Sequence, residues 1–200
     1  MKIALILIGI VLIAFTLTQL FAYNSQRNIE TYSYSINKKY NSFEIRSYEE
    51  TLFTSVKLST TGYENSSSEG FSILAGYIFG GNERNEKISM TSPVAMKLED
   101  SMTMMFMVPK ELKKEMLPKP NQPLIEFKEE PAKTVAAMSF SGWANDKKIE
   151  TFKNKLKSAL DAEGIAYSKR FYFLGYNAPY EFFNRRNEVI VELQEPTLYQ

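Results

Sequence analysis

Patterns of apolar and β-forming residues predict four strands in the first half of the chain. These strands cover residues 42–48, 52–58, 87–98 and 102–108. Between the second and the third strand the apolar period becomes helical, and one apolar face is formed by Phe71, Leu74, Ala75 and Ile78. Ser67 or Ser68 would cap this helix, and Gly80 and Gly81 would end it.

The second half repeats this order with different residues, after a connector with prolines at positions 118, 120 and 123. Strands are predicted for residues 125–128, 134–140, 166–174 and 188–193. Asn145 would cap a helix that ends at Gly164 and has an apolar face of Ile149, Phe152, Leu156 and Leu160. We predict one α+β domain in which a strand-strand-helix-strand-strand unit is duplicated. Roughly eight antiparallel strands would close around a core, with two helices over an open side.

Residues 3–22 form an uncharged and strongly apolar run. As a helix this run would be about 30 Å long, which matches the hydrocarbon core of a bilayer. We interpret residues 1–22 as an N-terminal transmembrane anchor; the alternatives are a cleaved signal segment or a buried helix. Residues 23–39 are polar and predict a tether that leads to the domain at residues 40–200.

The charges around the apolar run predict its orientation. Lys2 precedes the run, so the positive-inside tendency keeps the N-terminus in the cytoplasm and exports the domain, although Arg27 on the far side weakens this tendency. We therefore expect a membrane-anchored protein with a periplasmic or extracytoplasmic domain. If the segment is cleaved, the domain would be periplasmic or secreted.

Composition argues against several classes of function. The chain has 24 basic and 23 acidic residues and no stripe of Lys and Arg, which argues against a nucleic-acid partner. Histidine and cysteine are absent, so the commonest general base, thiolate catalysis and the usual ligands of zinc and haem iron are excluded. We expect no metal site and no enzyme activity.

Three groups of residues are candidates for ligand binding. Methionine is concentrated in two neighbouring predicted strands, either as barrel core, as the wall of a deformable pocket, or as both; the positions are 90, 96, 102, 104, 105 and 107. Aromatic residues surround the turn at residues 176–180, either as a binding loop or as a cover for the core. Arg185 and Arg186 could hold carboxylates or propionates, or could pair with a carboxylate of the protein itself.

Five short motifs follow one another along the chain. They are YIFGGN at residues 77–82, KISMTSPV at 87–94, FSG at 140–142, GYNAP at 175–179 and RRNEV at 185–189. In this order and spacing they resemble the SOUL haem-binding protein family over about residues 40–193. The resemblance implies a distorted antiparallel β-barrel with two helices and a pseudo-twofold duplication, similar to the effector-binding domains of gyrase-inhibitor-like proteins.

The resemblance also implies a function and a site. A haem or porphyrin would bind non-covalently in an apolar pocket, without histidine ligation, against the first helix and under the loop before the last strand. The site residues expected by position are Phe71, Leu74, Ala75, Ile78, Met90, Tyr176, Tyr180 and Phe183, with Arg84 and Lys87 as candidate charges. The basic residues that the family's haem binders place near the propionates correspond here to Ser68, Gly76 and Glu181, so that charge is missing. A carboxylate such as Glu181 would repel propionates.

Two alternative functions stay open. The domain could be a SOUL-fold module that binds another apolar ligand or a protein partner and has no role with haem. It could also resemble those relatives of the gyrase-inhibitor-like fold that are hydrolases. That activity would need a glutamate and a tyrosine to converge, and the candidates are Glu126, Glu188 and Tyr172.

Overall fold

The computed structural model describes residues 2–26, 29–60, 62–99 and 101–194. Arg27 and residues 195–200, which belong to the predicted tether and domain, lie outside the described residues. The elements are α1 (Lys2–Gln26), β1 (Tyr34–Lys39), β2 (Glu44–Tyr48), β3 (Thr51–Lys57), α2 (Tyr63–Ile78), β4 (Val94–Lys97), β5 (Thr103–Met107), β6 (Ile125–Glu130), β7 (Lys133–Ser141), α3 (Asp146–Ala162), β8 (Tyr167–Gly175) and β9 (Arg186–Leu193). A short 3₁₀ helix covers Lys114–Met116 in the connector.

All the described strands join one antiparallel, curled sheet in the order β1-β2-β7-β9-β8-β4-β5-β3-β6. The strands β2 to β5 of the first half correspond in order to β6 to β9 of the second half. With β1 left aside, replacing each strand by its counterpart gives the same order read from the opposite edge. The twofold axis therefore lies between β4 and β8. Each half gives its first strand to the other, because β2 pairs with β7 and β6 pairs with β3. The predicted α+β fold with a duplicated unit and a distorted barrel is confirmed.

The sheet buries side chains on both faces, as β5 illustrates. Met104 and Phe106 pack toward the helices, whereas Met105 and Met107 pack into the core cluster on the opposite face. Successive side chains of a strand point to opposite faces. A strand covered on both sides therefore reads as a continuous apolar run. This explains the run of methionines, which supplies core on both faces.

The two domain helices pack on one face of the sheet, α2 against β3 and β5 and α3 against β7, β8 and β9. The predicted apolar face of α3 is largely buried, and the Asn145 side chain accepts a hydrogen bond from the Lys148 N–H at 2.8 Å, as expected of a cap. Gly70 brings α2 close to the sheet. A Cβ at this position would lie 2.9 Å from the Leu58 side chain and 3.1 Å from the Met104 Cβ.

Helix α2 begins at Tyr63, earlier than the predicted start near Glu69, and neither Ser67 nor Ser68 caps it. The Asp146 carboxylate accepts hydrogen bonds from the backbone N–H groups of Tyr63 and Glu64. These are two of the N–H groups that a helix start leaves unsatisfied. The cap therefore comes from the first residue of α3, in the other half of the domain, and local sequence could not reveal it.

Two other predicted boundaries differ from the structure. Strand β1 lies inside the predicted tether; five of its six residues are exposed, so the strand shows no apolar alternation. The strand predicted for residues 87–98 is shorter, because β4 begins only at Val94. Pro93 has no N–H to donate to a ladder. Before it, Ser92 exchanges backbone hydrogen bonds with Glu30 and Tyr32.

Helix α1 presents apolar side chains to the surface at Ile3 and at positions between Ile6 and Leu17. Phe15 lies 5.9 Å from Phe182 and 6.4 Å from Phe183 between ring centroids, and Gln19 exchanges hydrogen bonds with the backbone of Tyr180 and Phe182. Among the residues that the structure describes, no helix is long and apolar enough to cross a membrane.

Candidate functional site

A cleft of about 310 Å³ opens between the N-terminal half of α2, the sheet and the loop before β9. We call it the α2 cleft. Its apolar lining is Phe71, Val94, Met96, Met104, Trp143 and Phe173. Its polar lining is Tyr63, Ser67, Ser68, Ser72, Asn177, Arg185 and Asn187. The α2 cleft thus combines apolar walls with hydroxyl and amide groups and one cation.

Aromatic packing shapes the walls of the α2 cleft. Phe71 meets Phe106 edge-on with ring centroids 5.4 Å apart, and Tyr63 meets Phe173 in the same way at 5.0 Å. Such edge-to-face pairs fix ring orientation in addition to burying area. The methionines at 96 and 104 are 1% exposed and form part of the lining. The two interpretations of the methionine-rich strands, as core and as pocket wall, therefore apply together.

The loop at residues 176–185 is held by its own hydrogen bonds. The Glu181 carboxylate, which is buried, accepts from the Asn177 side chain at 2.7 Å and from the Ala178 N–H at 3.0 Å. The Arg185 Nη1 donates to the carbonyls of Ala178 at 2.9 Å and Glu181 at 2.6 Å. The carboxylate that we expected to repel propionates thus has a structural role inside the loop.

Arg185 also stacks on Trp143, with the guanidinium carbon 4.0 Å from the ring centroid. Its Nε atom is buried and has no hydrogen-bond partner among the described residues. Burial lowers the pKa of Arg185, and the nearby Tyr63 and Glu181 partly oppose this shift. Burial of the neighbouring Tyr63 raises the pKa of its hydroxyl.

The structure separates the site residues that the sequence predicted. Of the α2 face, Phe71 lines the α2 cleft, whereas Leu74, Ala75 and Ile78 are buried in the core against the sheet. Met90 packs partly buried against the same core. The N-terminal half of α2 therefore borders the cleft. Beside the C-terminal half, the side chains of the helix itself occupy the space against the sheet.

The remaining predicted residues lie apart from the α2 cleft. Tyr180 and Phe183 are exposed, on the loop that borders it. Arg84 donates to the Met116 carbonyl in the connector, and Lys87 is exposed in the loop after α2. Neither cation is among the residues that line the α2 cleft. Of the haem binders' basic positions, Ser68 lines the cleft and Gly76 is exposed.

Sequence reasoning missed much of the lining. The sequence predicts the start of α2 near Glu69, so it gives no reason to include Tyr63, and it assigns Ser67 only a capping role. Val94 and Phe173 come from β4 and β8, which meet on the twofold axis. Trp143 comes from the turn before α3. The motifs KISMTSPV, GYNAP and RRNEV each contribute residues to this lining and were the sequence signal for the region.

Tyr176 and Arg186 belong to a second, buried polar group around Glu188. This carboxylate is fully buried and accepts from Arg46 at 2.8 and 3.1 Å, Arg186 at 2.8 Å, Ser139 at 2.9 Å and Tyr176 at 2.8 Å. Burial would raise the pKa of the Glu188 carboxyl, but the hydrogen bonds and charges of both arginines lower it. Arg186 therefore pairs with a carboxylate of the protein, as one interpretation predicted.

A larger polar cavity of about 860 Å³ lies on the sheet face opposite the helices. Its floor is the Glu130 network, which consists of Lys97, Glu130, Lys133, Tyr172 and Glu192. Glu130 pairs with Lys97 at 2.8 Å and with Lys133 at 2.7 Å, and the Tyr172 hydroxyl donates to Glu192 at 2.6 Å. Burial would raise the pKa of the Glu130 carboxyl, but Lys133 and Lys97 lower it from 4.5 to about 2.

Comparison with known proteins assigns a family to this arrangement. The family model described as "SOUL heme-binding protein" matches residues 29–192. The chain belongs to the SOUL family. The SOUL match begins within the predicted tether and includes β1, in agreement with the pairing of this strand to β2.

Relatives and solved structures agree with this assignment. The SOUL chain is 30% identical over 166 residues to human "Heme-binding protein 2", covering 78% of this chain and 80% of the relative. Its fold is similar to the solved C-terminal domain of EcmrR, with TM-score 0.62, 10% identity and coverage of 82% of this chain and 99% of that one. A hydrolase from Listeria innocua is similar with TM-score 0.55, 7% identity and coverage of 79% and 94%. At these identities the structural likeness concerns the fold alone.

Proposed function

We propose that the SOUL domain binds haem or another porphyrin, non-covalently and without catalysis, in the α2 cleft. Family membership and the haem-binding relatives support haem binding as a function. The observation that supports the α2 cleft as the site is its combination of apolar walls and a polar rim, because ligand pockets are mainly apolar with a few placed polar groups.

The side chains of the α2 cleft fit a flat apolar group with a polar edge. Phe71, Val94 and Phe173 would contact the ring, and the hydroxyls of Ser67, Ser68 and Ser72 would meet its polar edge. A volume of about 310 Å³ is at the lower end for ligand pockets. The cleft would therefore cover only part of a tetrapyrrole. When bound, haem would supply the redox and ligand-binding chemistry of its iron.

Two tyrosine–glutamate pairs converge in the structure, yet neither favours a hydrolase. Glu188, one of the predicted candidates, contacts Tyr176, and Tyr172 contacts Glu192. Both glutamates are held by basic groups, since Glu188 pairs with Arg46 and Arg186, and Glu192 pairs with Arg170. A general acid or base needs a pKa near the working pH. The lowered pKa of the Glu188 carboxyl is unsuited to that task.

A titration with haemin tests the proposed site. The full chain in detergent micelles is titrated with haemin and followed through the Soret band, with protein-free micelles as the blank. Ser68→Trp places a bulky ring at the mouth of the α2 cleft and is expected to weaken binding about tenfold or more. Glu69→Trp, at the neighbouring exposed position of α2, is the matched control and is expected to bind within about twofold of the wild type.

Two results of the titration would contradict the proposal. Equal effects of the two tryptophans would remove the α2 cleft as the haem site. Unsaturable uptake that matches the blank would instead indicate partitioning, and the domain would then serve another apolar ligand or a protein partner.

We further propose that the chain is attached to a membrane through α1, with the domain on the outside of the cytoplasm. The exposed apolar side chains at Ile3 and between Ile6 and Leu17 support attachment, because large exposed apolar patches mark membrane or protein contacts. After expression with its N-terminus intact, the full chain should stay in the membrane fraction through a high-salt wash. A protease added outside the cytoplasmic membrane should digest the domain. Release into the soluble fraction at full length would argue against the anchor.

A further inference from the structure

Arg185 is the single charged residue among those that line the α2 cleft. No described carboxylate forms an ion pair with it, although most other arginines of the domain have one. Its neighbour Arg186 pairs with Glu188 at 2.8 Å, and Arg46 pairs with the same carboxylate. A partly buried charge is usually paired, because removing it from water is costly. Arg185 therefore differs from the structural arginines of the fold.

The position of Arg185 is fixed without neutralising its charge. Three backbone carbonyls accept from its guanidinium, those of Ala178, Glu181 and Asn177, the last at 3.4 Å. Trp143 covers one face of the guanidinium. Carbonyls are neutral acceptors, so the positive charge of Arg185 has no ion-pair partner among the described residues that line the cleft. The nearest acid in the loop, Glu181, directs its carboxylate to Asn177 and Ala178.

We infer that Arg185 makes the α2 cleft selective for apolar ligands that carry an anionic group. From the loop before β9, it would supply the positive charge that the chain lacks at Ser68, Gly76 and Glu181. A guanidinium suits carboxylates because its donors form a planar fork. The serine hydroxyls on α2 would provide further donors to the same group. This inference deepens the proposed function and uses the same cleft as the ligand seat.

The test compares ligands that differ only in charge. Full-length protein in detergent micelles is titrated with protoporphyrin IX and with its dimethyl ester, in which both carboxylates are blocked. The wild type should bind the diacid about tenfold more tightly than the ester, the usual size of one charge-assisted hydrogen bond. Arg185→Met should weaken binding of the diacid to the level of the ester and leave the ester within about twofold. Arg185→Lys, which keeps the charge, should restore part of the preference.

Two controls separate the role of Arg185 from damage to its loop. Arg84→Met makes the same chemical change outside the cleft and should leave both affinities unchanged. A second pair of ligands, anionic 1-anilinonaphthalene-8-sulfonate and uncharged N-phenyl-1-naphthylamine, reports on the charge preference without a tetrapyrrole. Wild type should prefer the sulfonate, and Arg185→Met should lose that preference.

The outcomes distinguish this inference from the proposed function. If neither porphyrin binds but the sulfonate preference depends on Arg185, tetrapyrrole binding fails and the inference holds. If diacid and ester bind the wild type equally, or if Arg185→Met weakens both by the same factor, the role of Arg185 is overturned. A porphyrin that still binds saturably would then leave the proposed function standing.

Discussion

The α2 cleft and the Glu130 network lie on opposite faces of the same sheet and treat charge in opposite ways. In the network, Lys97 and Lys133 converge on Glu130, and Tyr172 donates to Glu192. In the cleft, Arg185 contacts carbonyls and an indole ring, and no described carboxylate forms an ion pair with it. The charged groups at the floor of the larger cavity thus pair with one another, whereas the cation of the smaller one has no ion-pair partner among the described residues.

This difference is the reason why we place the proposed ligand site in the smaller cavity. The cavity over the Glu130 network is the larger of the two, about 860 Å³ against about 310 Å³. Buried charges that already have partners gain little from a ligand, because the ligand must compete with those partners. The α2 cleft offers apolar area and an unmet charge, and both would be satisfied by a ligand rather than by the protein.

The largest expected effect is a difference in the free energy of unfolding between a variant of the Glu130 network and a variant of the α2 cleft. Glu130→Gln leaves Lys97 and Lys133 buried without their shared counterion, and should lower the free energy of unfolding by about 3 to 5 kcal/mol. Arg185→Met removes hydrogen bonds to neutral carbonyls at the edge of the fold and should cost only about 1 to 2 kcal/mol. Urea unfolding of the full chain at pH 7, followed by tryptophan fluorescence, measures both. Similar losses would contradict the distinction between a paired and an unpaired region.

A smaller effect is the pH dependence of stability, which tests whether the stabilisation comes from ionised Glu130. Its pKa is about 2 in the folded state and 4.5 for the ordinary carboxyl, so ionised Glu130 stabilises the fold above pH 4.5. As pH falls from 4.5 to 2, protonation removes this contribution, about 3 kcal/mol in total. Urea midpoints measured through this range should fall in the wild type. In Glu130→Gln this part of the slope should be absent, and an unchanged slope would show that other carboxyls cause it.

The sequence predicted the architecture well because the relevant signals are local. The helix face of Ile149, Leu156 and Leu160 and its cap Asn145 are set within one element, and the structure confirms them. The order of elements in each half follows from similar local periods. The family motifs then indicated how these elements are arranged, as a distorted barrel with a pseudo-twofold duplication.

The lining of the α2 cleft was predicted less well than the architecture, because it depends on long-range contacts. The cap of α2 is Asp146, over eighty residues away in sequence, so the exposed start of the helix and its Tyr63 were missed. Leu74 and Phe71 share an apolar face in sequence, yet only Phe71 reaches the cleft. Arg186 and Glu188 are alternate residues of β9 and lie on the same face of the sheet, where they pair, whereas Arg185 precedes the strand.

The exchange of β2 and β6 between the halves has a consequence for how the domain unfolds. Each repeat completes its partner's strand set, so a single repeat on its own would lack a flanking strand and would expose backbone groups that normally pair. The two repeats therefore cannot unfold or separate as independent units. We regard them as one cooperative body, in which loss of either exchanged strand opens the hydrophobic interior of both.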